Sequence, residues 1–393
     1  MTSAMAGAAG DPAPTTAPGP VIALGANDSW NLLNYRAGLI RALQHSGFRV
    51  AALTPEGPHS AGFDAIGVTF HPVPMKARGT SPLGDLRTLL AFRRQLKASG
   101  AAAFLGFTAK PNVYGTLAAS NAHVPAICNI SGLGAVFGRA GPLQELLARL
   151  YRVALRRAST VFFQNRDDLA LFEAKGLVDP AKADLLPGSG VDLERFSPGG
   201  GKRADGPFTF LFAARLLWDK GVREFADAAR IVRARRSDVR FQILGFVEPE
   251  GRTAVPLRQL RDWQSEGVLD YLGATGDVRS AVAAADCVVL PSYYREGVPR
   301  VLLEAAAMGR PLITTDAPGC REAVDDHVTG LLCQPRSVDS LVAAMEALLA
   351  VSVEEREAMG QAGRAKMERQ FDEKLVHRAY LSALAKAGLV SPS

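Results

Sequence analysis

Short apolar runs alternate with helix-length segments along nearly the whole chain, and the alternation stops once and then restarts. In the first half the runs are PVIALG (20–25), FRVAAL (48–53), GVTFHPV (67–73), AAAFLGF (101–107), VPAICNI (124–130) and TVFFQN (160–165). Between the first two, NLLNYRAGLIRALQHSG (31–47) places Leu32, Leu39, Ile40 and Leu43 at helical spacing, so one continuous helix closed by Gly47 is expected. Strand, helix and strand in this order require parallel pairing with crossover helices, so the fold class is α/β. The pattern breaks at FSPGGGKRADGP (196–207), which is rich in Gly, Pro and charge without periodicity and reads as a linker. Its GGGK lacks the full spacing of a phosphate loop. Alternation resumes with FTFLFAA (208–214), RFQILGF (240–246), LDYLG (269–273), DCVVLPS (286–292), PLITTD (311–316) and TGLLCQ (329–334), and helices are expected near 337–349, 353–369 and 372–387.

A chain of 393 residues exceeds one ordinary core. The expected division is a disordered tail over 1–20, an N-terminal Rossmann-like domain over 21–195, the linker 196–207 and a second Rossmann-like domain over 208–371. A last helix within 372–393 is expected to pack back on the first domain. Two doubly wound sheets joined in this way face each other across a cleft, the default place for a ligand.

Composition narrows the function classes. With 48% hydrophobic and 21% charged residues the chain is a globular, ordered protein. Cys128, Cys287, Cys320 and Cys333 form no C-x-x-C pair and lie in or beside apolar runs, so buried reduced thiols and a cytoplasmic location are expected. Residues 1–20 lack the basic and leucine-rich regions of a secretory signal, and no stretch approaches twenty uninterrupted apolar residues. The net charge of +6 lies wholly in residues 1–200, which hold 19 Lys and Arg against 13 Asp and Glu, while the rest balances at 26 against 26. An anionic partner is therefore expected for the first half: a membrane surface, phosphate or nucleic acid.

Two segments of the second half carry chemistry. In AARLLWDKG, Arg215 and Lys220 follow the first strand across a loop, where a forked guanidinium and a mobile ammonium suit a diphosphate. As plain surface charges they would oppose the dipole of the helix they precede. In EGVPRVLLEAAAMG, Gly297 and Pro299 form a tight turn whose N–H groups point at an oxygen-rich ligand, and a helix starts near Arg300. Glu304 is placed to accept from ribose hydroxyls and Glu296 from those of a sugar. Read alone they are a capping residue and a solvated helix residue; beside Arg215 and Lys220 they form one site.

From Phe208 to Gln334 the chain resembles the retaining GT-B glycosyltransferases of family 4, whose signature is two glutamates with seven residues between them. The resemblance implies the GT-B architecture, with Arg215 and Lys220 on the donor diphosphate and Glu304 on the ribose. It places Glu296 and the turn Gly297, Val298, Pro299 and Arg300 on the transferred sugar, with catalysis resting on Arg215, Lys220 and Glu296. Gly273 to Val278 (GATGDV), Asp277 included, would lie by the nucleobase. In the first half, FTAKPNVYG and NISGLG resemble the subgroup that extends sugars on polyprenyl diphosphate, as does ANDSWNLLNYRAGLIRAL. This puts Asn27, Asn34, Lys110, Asn112, Ser131 and Gly132 on the acceptor side. The six histidines offer no equivalent of the family's usual sugar-facing histidine, and Lys110, Asn112 or Ser131 takes that ground.

The expected activity is a retaining, metal-independent transfer from a nucleotide-sugar, a UDP-linked HexNAc or hexose, to a lipid-linked saccharide in cell-surface glycan synthesis. No D-x-D tripeptide and no histidine or cysteine set with metal-ligand spacing occurs, so neither metal nor cofactor is expected. The basic helical patterns at 82–100 and 141–159 are expected to lie on the anionic cytoplasmic face of a membrane, although Leu143, Leu146, Leu147 and Leu150 also suit core positions. Two other classes share the architecture. A nucleotide-sugar epimerase would need acid and base side chains in the cleft. A non-catalytic nucleotide or nucleic-acid binder would interleave basic and aromatic residues, and at 7% aromatics this chain does not.

Overall fold

The computed structural model describes residues 19–76, 81–133, 141–199, 206–248, 251 and 253–389. The tail before residue 19, residues 134–138 of the GLGAVFG stretch, residues 200–205 of the linker and the side chain at 143 lie outside the described residues.

The first half folds on a seven-stranded sheet of β1 (Val21–Gly25), β2 (Arg49–Thr54), β3 (Thr69–Pro72), β4 (Ala101–Gly106), β5 (Ala126–Ile130), β6 (Thr160–Phe163) and β7 (Ala183–Leu185). Every pairing is parallel, in the order β3-β2-β1-β4-β5-β6-β7. Helices α1 (Ser29–Tyr35), α2 (Ala37–His45), α3 (Pro82–Ser99), α4 (Thr116–Asn121), α5 (Pro142–Leu155) and α6 (Arg166–Ala174) make the crossovers. β1, β2 and β5 are buried on both faces, which explains why they read as unbroken apolar runs. β7 gives no such run: it is three residues long at the sheet edge with Asp184 at its centre.

The second sheet comprises β8 (Phe208–Ala213), β9 (Val239–Leu244), β10 (Asp270–Tyr271), β11 (Cys287–Leu290), β12 (Leu312–Thr315) and β13 (Gly330–Cys333), parallel in the order β10-β9-β8-β11-β12-β13. Helices α7 (Val222–Arg235), α8 (Leu257–Ser265), α9 (Arg279–Ala284), α10 (Arg300–Ala307), α11 (Val338–Ala350) and α12 (Val353–Lys366) cover it. The four cysteines are buried and unpaired, and burial pushes the Cys128, Cys320 and Cys333 thiols up to about 12.

One expectation is corrected. Residues 31–47 do not form a single helix; the helix breaks at Arg36 between α1 and α2. The break turns the buried Arg36 guanidinium onto the Phe107 ring, 4.6 Å from its centroid. α2 ends at Ser46, and Gly47 follows in the left-handed region at φ +78°.

The last helix, α13 (Glu373–Lys386), returns to the first domain and packs on α2. Its Val376, Tyr380 and Leu384 enter the core formed by β1, β2 and β4. Tyr380 is fully buried, its ring set against Phe107 and Phe162 and its hydroxyl accepting from Asn129 Nδ2 at 2.7 Å. Burying a side chain of this size stabilises by about 1.5–3 kcal/mol. The chain crosses back where Val191 bridges Asp372.

His377 on α13 provides a test of this docking. Burial, then Arg41 of α2, holds its pKa down from 6.5 to about 4, with Asp372 and Asp192 opposing and Arg36 adding to the depression. The unfolded chain therefore takes up this proton first, so the contribution to stability is complete above pH 6.5, falls as the pH drops towards 4 and then levels off. His377→Gln should lose less stability than wild type between pH 6.5 and pH 4 in thermal melts. Parallel melting curves for the two proteins across that window would refute the assignment.

Candidate active site

Each sheet has one point where the strand order reverses. In the second it lies between β8 and β11, and in the first between β1 and β4. Loops leaving the strand ends at such points diverge and leave a crevice. Arg215 and Lys220 lie on the loop after β8, and Glu296 on the loop after β11, so these three flank one crevice, while Gly273, Asp277 and Val278 follow the edge strand β10. Asn27 follows β1 and Lys110 follows β4 in the first half.

Within the second domain, Lys220 is buried and makes a short ion pair with Glu296. Glu296 also accepts from Ser292 Oγ at 2.8 Å. The Lys220 ammonium lies 5.5 Å from the centroid of the Tyr294 ring. Gly221, at φ +82°, ends the short turn that carries Lys220, and a Cβ there would lie 2.1 Å from the Pro291 carbonyl oxygen. That close approach seats the Lys220 loop against the Glu296 loop. Arg215 is half-exposed and donates to Glu248 at 3.0 Å.

At the start of α10, Pro299 is the cap and Arg300 the first helical residue. Arg300 pairs with Glu304 one turn on, at 2.9 Å. Burial pushes the Glu304 carboxyl up and Arg300 pulls it back. Gly273 lies at φ +81° just past β10, with open space where a Cβ would be. Thr275 Oγ1 accepts from the Asp277 N–H at 3.0 Å, and Val278 caps α9. The hydrogen bond from Arg279 holds the Asp277 carboxyl down at about 2.

The two domains meet on the Glu296 loop. Gly297 N–H donates to the Ser131 carbonyl at 3.1 Å, and Asn165 Nδ2 donates to the Glu296 carbonyl at 3.0 Å. A Cβ on Gly132, which sits at φ +109°, would lie 2.5 Å from the Gly297 nitrogen. A Cβ on Gly297 would lie 1.9 Å from Gln164 Oε1. Val298 abuts Gly188 of the first domain. Arg295 donates to the buried Asp168 at 3.1 Å, and Arg321 to Asp167 at 2.9 Å. Arg300 reaches across to the Asn34 carbonyl at 2.6 Å and lies 5.5 Å from the centroid of the Tyr35 ring.

The acceptor-side residues divide. Ser131 and Gly132 touch the Glu296 loop directly, and Ser131 Oγ donates to the Phe107 carbonyl at 3.1 Å. Asn34 faces the cleft through its carbonyl. Asn27 Oδ1 is buried without a hydrogen-bond partner. Lys110 is held by Asp85 of α3 at 2.7 Å. Asn112 is 1% exposed and donates to the Asn129 carbonyl, so its place is inside the wall between β4 and β5. Tyr35, Asn165, Asp167, Asp168, Arg295 and Arg321 also line this seam and carry no sequence signal of their own. The stretch QNRDD (164–168) reads as an ordinary capped helix start, and Tyr35 as one more residue of an amphipathic helix. Tyr35 lies among charges of the second domain: burial raises its pKa, Arg215 and Arg300 lower it, and Glu304 and Glu296 raise it.

Paired Rossmann-like domains with basic and carboxylate side chains gathered where they face each other are the GT-B architecture. Solved structures of this class share the fold. Sucrose-phosphate synthase from Thermosynechococcus elongatus superposes with a TM-score of 0.77 at 19% identity, over 94% of this chain and 99% of that one. Anabaena Alr3699/HepE, solved in complex with UDP, gives 0.75 at 17% identity over 93% of this chain and 99% of that one. Residues 33–188 match the glycosyl transferase 4-like domain, and residues 207–351 match the glycosyl transferases of group 1. The chain belongs to this glycosyltransferase family. Among curated relatives, the N,N'-diacetylbacillosaminyl-diphospho-undecaprenol alpha-1,3-N-acetylgalactosaminyltransferase of Campylobacter jejuni is 24% identical over 89% of this chain and 94% of its own length. An Escherichia coli UDP-Gal:alpha-D-GlcNAc-diphosphoundecaprenol alpha-1,3-galactosyltransferase is 26% identical over 70% of this chain and 73% of its own length.

The glycine contact across the seam yields a prediction. Gly132→Ala puts a methyl group into backbone, which has no rotamer with which to yield, and at a φ that alanine resists. Activity should fall by at least ~10²-fold, the scale of a 1 Å misplacement, while circular dichroism stays that of wild type. Full activity in this variant would show that the seam is not needed.

Proposed function

We propose that the protein transfers a sugar, with retention at the anomeric carbon, from a UDP-linked donor to a saccharide carried on a polyprenyl diphosphate. The observation that carries this reading is the gathering of Arg215, Lys220, Glu296 and Glu304 at the switch point of the second sheet, opposite Ser131 and Gly132 of the first domain. The UDP complex of the Anabaena neighbour and the lipid-diphosphate acceptors named for the two bacterial relatives support the choice of donor and acceptor.

In this reading the bond between the anomeric carbon and the β-phosphate oxygen breaks while the acceptor oxygen bonds to the same face of the sugar. The acceptor proton passes to the departing phosphate. Negative charge builds on the diphosphate, and Arg215 and Lys220 stabilise it more in the transition state than in the ground state. Glu296 leaves Lys220 for the sugar hydroxyls as the diphosphate takes the ammonium. Glu304 holds the ribose, and Arg300 holds Glu304. The charge neutralisation that a divalent ion provides elsewhere is assigned to Arg215 and Lys220.

The acceptor is reached from a membrane. Among the described residues no helix is long and apolar enough to cross one. However, α3 exposes Leu83 by 73%, Leu86 by 51% and Leu90 by 52%, spaced so that they share a face. Leu146 and Val153 do the same on α5, each 49% exposed. Leu147 and Leu150 instead pack against the core. Arg87, Arg93, Arg94 and Lys97 of α3 and Arg149, Arg156 and Arg157 at α5 are exposed. Both helices pack on the Pro111–Gly115 turn, beside Lys110, so an anionic cytoplasmic leaflet under them brings a lipid-borne sugar to the cleft.

Mass spectrometry on a panel of UDP- and GDP-sugars offered with a polyprenyl-diphosphate sugar tests the reaction, the mass increment naming the donor. Release of UDP without any acceptor gain, or of epimerised donor, would overturn it. Arg215→Ala and Lys220→Ala should each cost about 10²–10³ in rate, the scale for losing one charge-stabilising donor, and activity should survive a chelator. Glu304→Ala should chiefly weaken UDP binding, and Glu296→Ala should chiefly slow transfer; matching kinetic defects would undo that division. In flotation assays the wild type should rise with anionic vesicles at moderate salt, and the Leu86→Glu/Leu90→Glu double variant should not. Equal flotation of both would remove α3 from the membrane face.

A further inference from the structure

We propose that Asn165 and Asp168, at the start of α6 in the first domain, are positioning residues that set Glu296 at the donor sugar only when the two domains are closed. The inference rests on the donor-site reading above and adds to it the part of the opposite domain that controls the glutamate.

Glu296 has two kinds of attachment. Its carboxylate is bound inside its own domain, by Lys220 and Ser292. The loop around it is bound from the other domain at three successive residues, once through the Arg295 side chain and twice through backbone. Arg295 donates to Asp168 at 3.1 Å, the Glu296 carbonyl accepts from Asn165 at 3.0 Å, and Gly297 N–H donates to Ser131 at 3.1 Å. Separation of the domains releases all three together and leaves the loop after β11 without them.

The geometry of α6 fixes which way Asn165 points. As the N-cap its Oδ1 accepts from the Asp168 N–H at 2.7 Å, so Nδ2 is directed outward to the Glu296 carbonyl and to Asp168 Oδ2 at 3.1 Å. Asp168 is fully buried and has Asn165 and Arg295 as its side-chain donors. A buried carboxylate requires such partners, so Asp168 favours the closed arrangement in which Arg295 reaches it. Its neighbour Asp167 binds Arg321 across the same seam in a more exposed setting, with 40% and 36% of the two side chains accessible. The buried member of this pair of aspartates is the one attached to the residue before Glu296. The cap that starts α6 thus also orients the sugar-handling loop, so a donor sugar meets a positioned carboxylate only with the acceptor domain in place.

The test uses Asn165→Ser, which keeps an N-cap but is too short to reach the Glu296 carbonyl, together with Asp168→Asn and Arg295→Lys. Four readouts are taken on the full chain: kcat and donor KM, UDP affinity by calorimetry, the ratio of donor hydrolysis to transfer, and amide exchange over residues 292–299. The expected result is a fall in kcat of about 10–100-fold with UDP affinity within about twofold of wild type, more hydrolysis per transfer and faster exchange in that loop. Arg295→Lys, which retains the charge, should recover part of the activity lost in Arg295→Ala. Unchanged kcat and exchange in Asn165→Ser and Asp168→Asn would overturn the proposal, as would UDP affinity falling in step with kcat. Wild-type protein that transfers no sugar would refute the parent reading instead, and the exchange measurement would still report whether α6 holds the loop.

Discussion

The architecture turns on a contact between two glycines that belong to different domains. Gly132 ends the apolar run of β5 and Gly297 opens the turn before α10, and their backbones meet with no side chain between them. Any Cβ at either position would overlap backbone or the Gln164 amide. Hydrogen bonds from a backbone N–H to a carbonyl have little positional freedom. The backbone at Glu296 and Gly297 is therefore held to both domains at once. Ion pairs and longer side chains surround this contact, but their reach adapts to a shift in the domains and the glycine contact does not.

Charge in the cleft is arranged in balanced pairs: Lys220 with Glu296, Arg300 with Glu304, and Arg295 with Asp168. A cation withdrawn from water without a partner is costly, so each of these basic groups is kept beside a carboxylate. An incoming anion then competes with an internal carboxylate rather than with bulk water.

The doubled α/β plan was legible because parallel strands buried on both faces must be apolar along their length, and the breaks between them carry Gly, Pro and charge. β7 was hidden because a three-residue edge strand needs only backbone pairing to exist. The kink at Arg36 was hidden because the apolar spacing continues across it; only the cation's preference for the Phe107 face reveals the break. Arg215, Lys220 and Glu296, on loops that leave strand ends, were singled out by local rules. Asp168 and Tyr35 were not. Their roles come from contacts across the cleft to residues more than a hundred positions away, and local spacing carries no trace of such partners. Asn112 has the opposite history: a position beside a ligand loop promised contact, but its amide serves the Asn129 carbonyl within the wall.

The return of α13 ties the order of synthesis to the order of folding. Tyr380 completes the core of the first domain by bonding Asn129, 251 positions earlier in the chain. Everything in the second sheet is made between those two residues. The domain that leaves the ribosome first is thus finished last, and until then it presents the apolar faces of Phe107 and Phe162 without their partner. Contacts of such long sequence separation are slow to form, because the entropy of closing the intervening loop must be lost before they contribute. A chain nicked or stalled before residue 373 would hold a well-formed second domain beside an incomplete first one. Such a species is prone to association through exposed apolar surface.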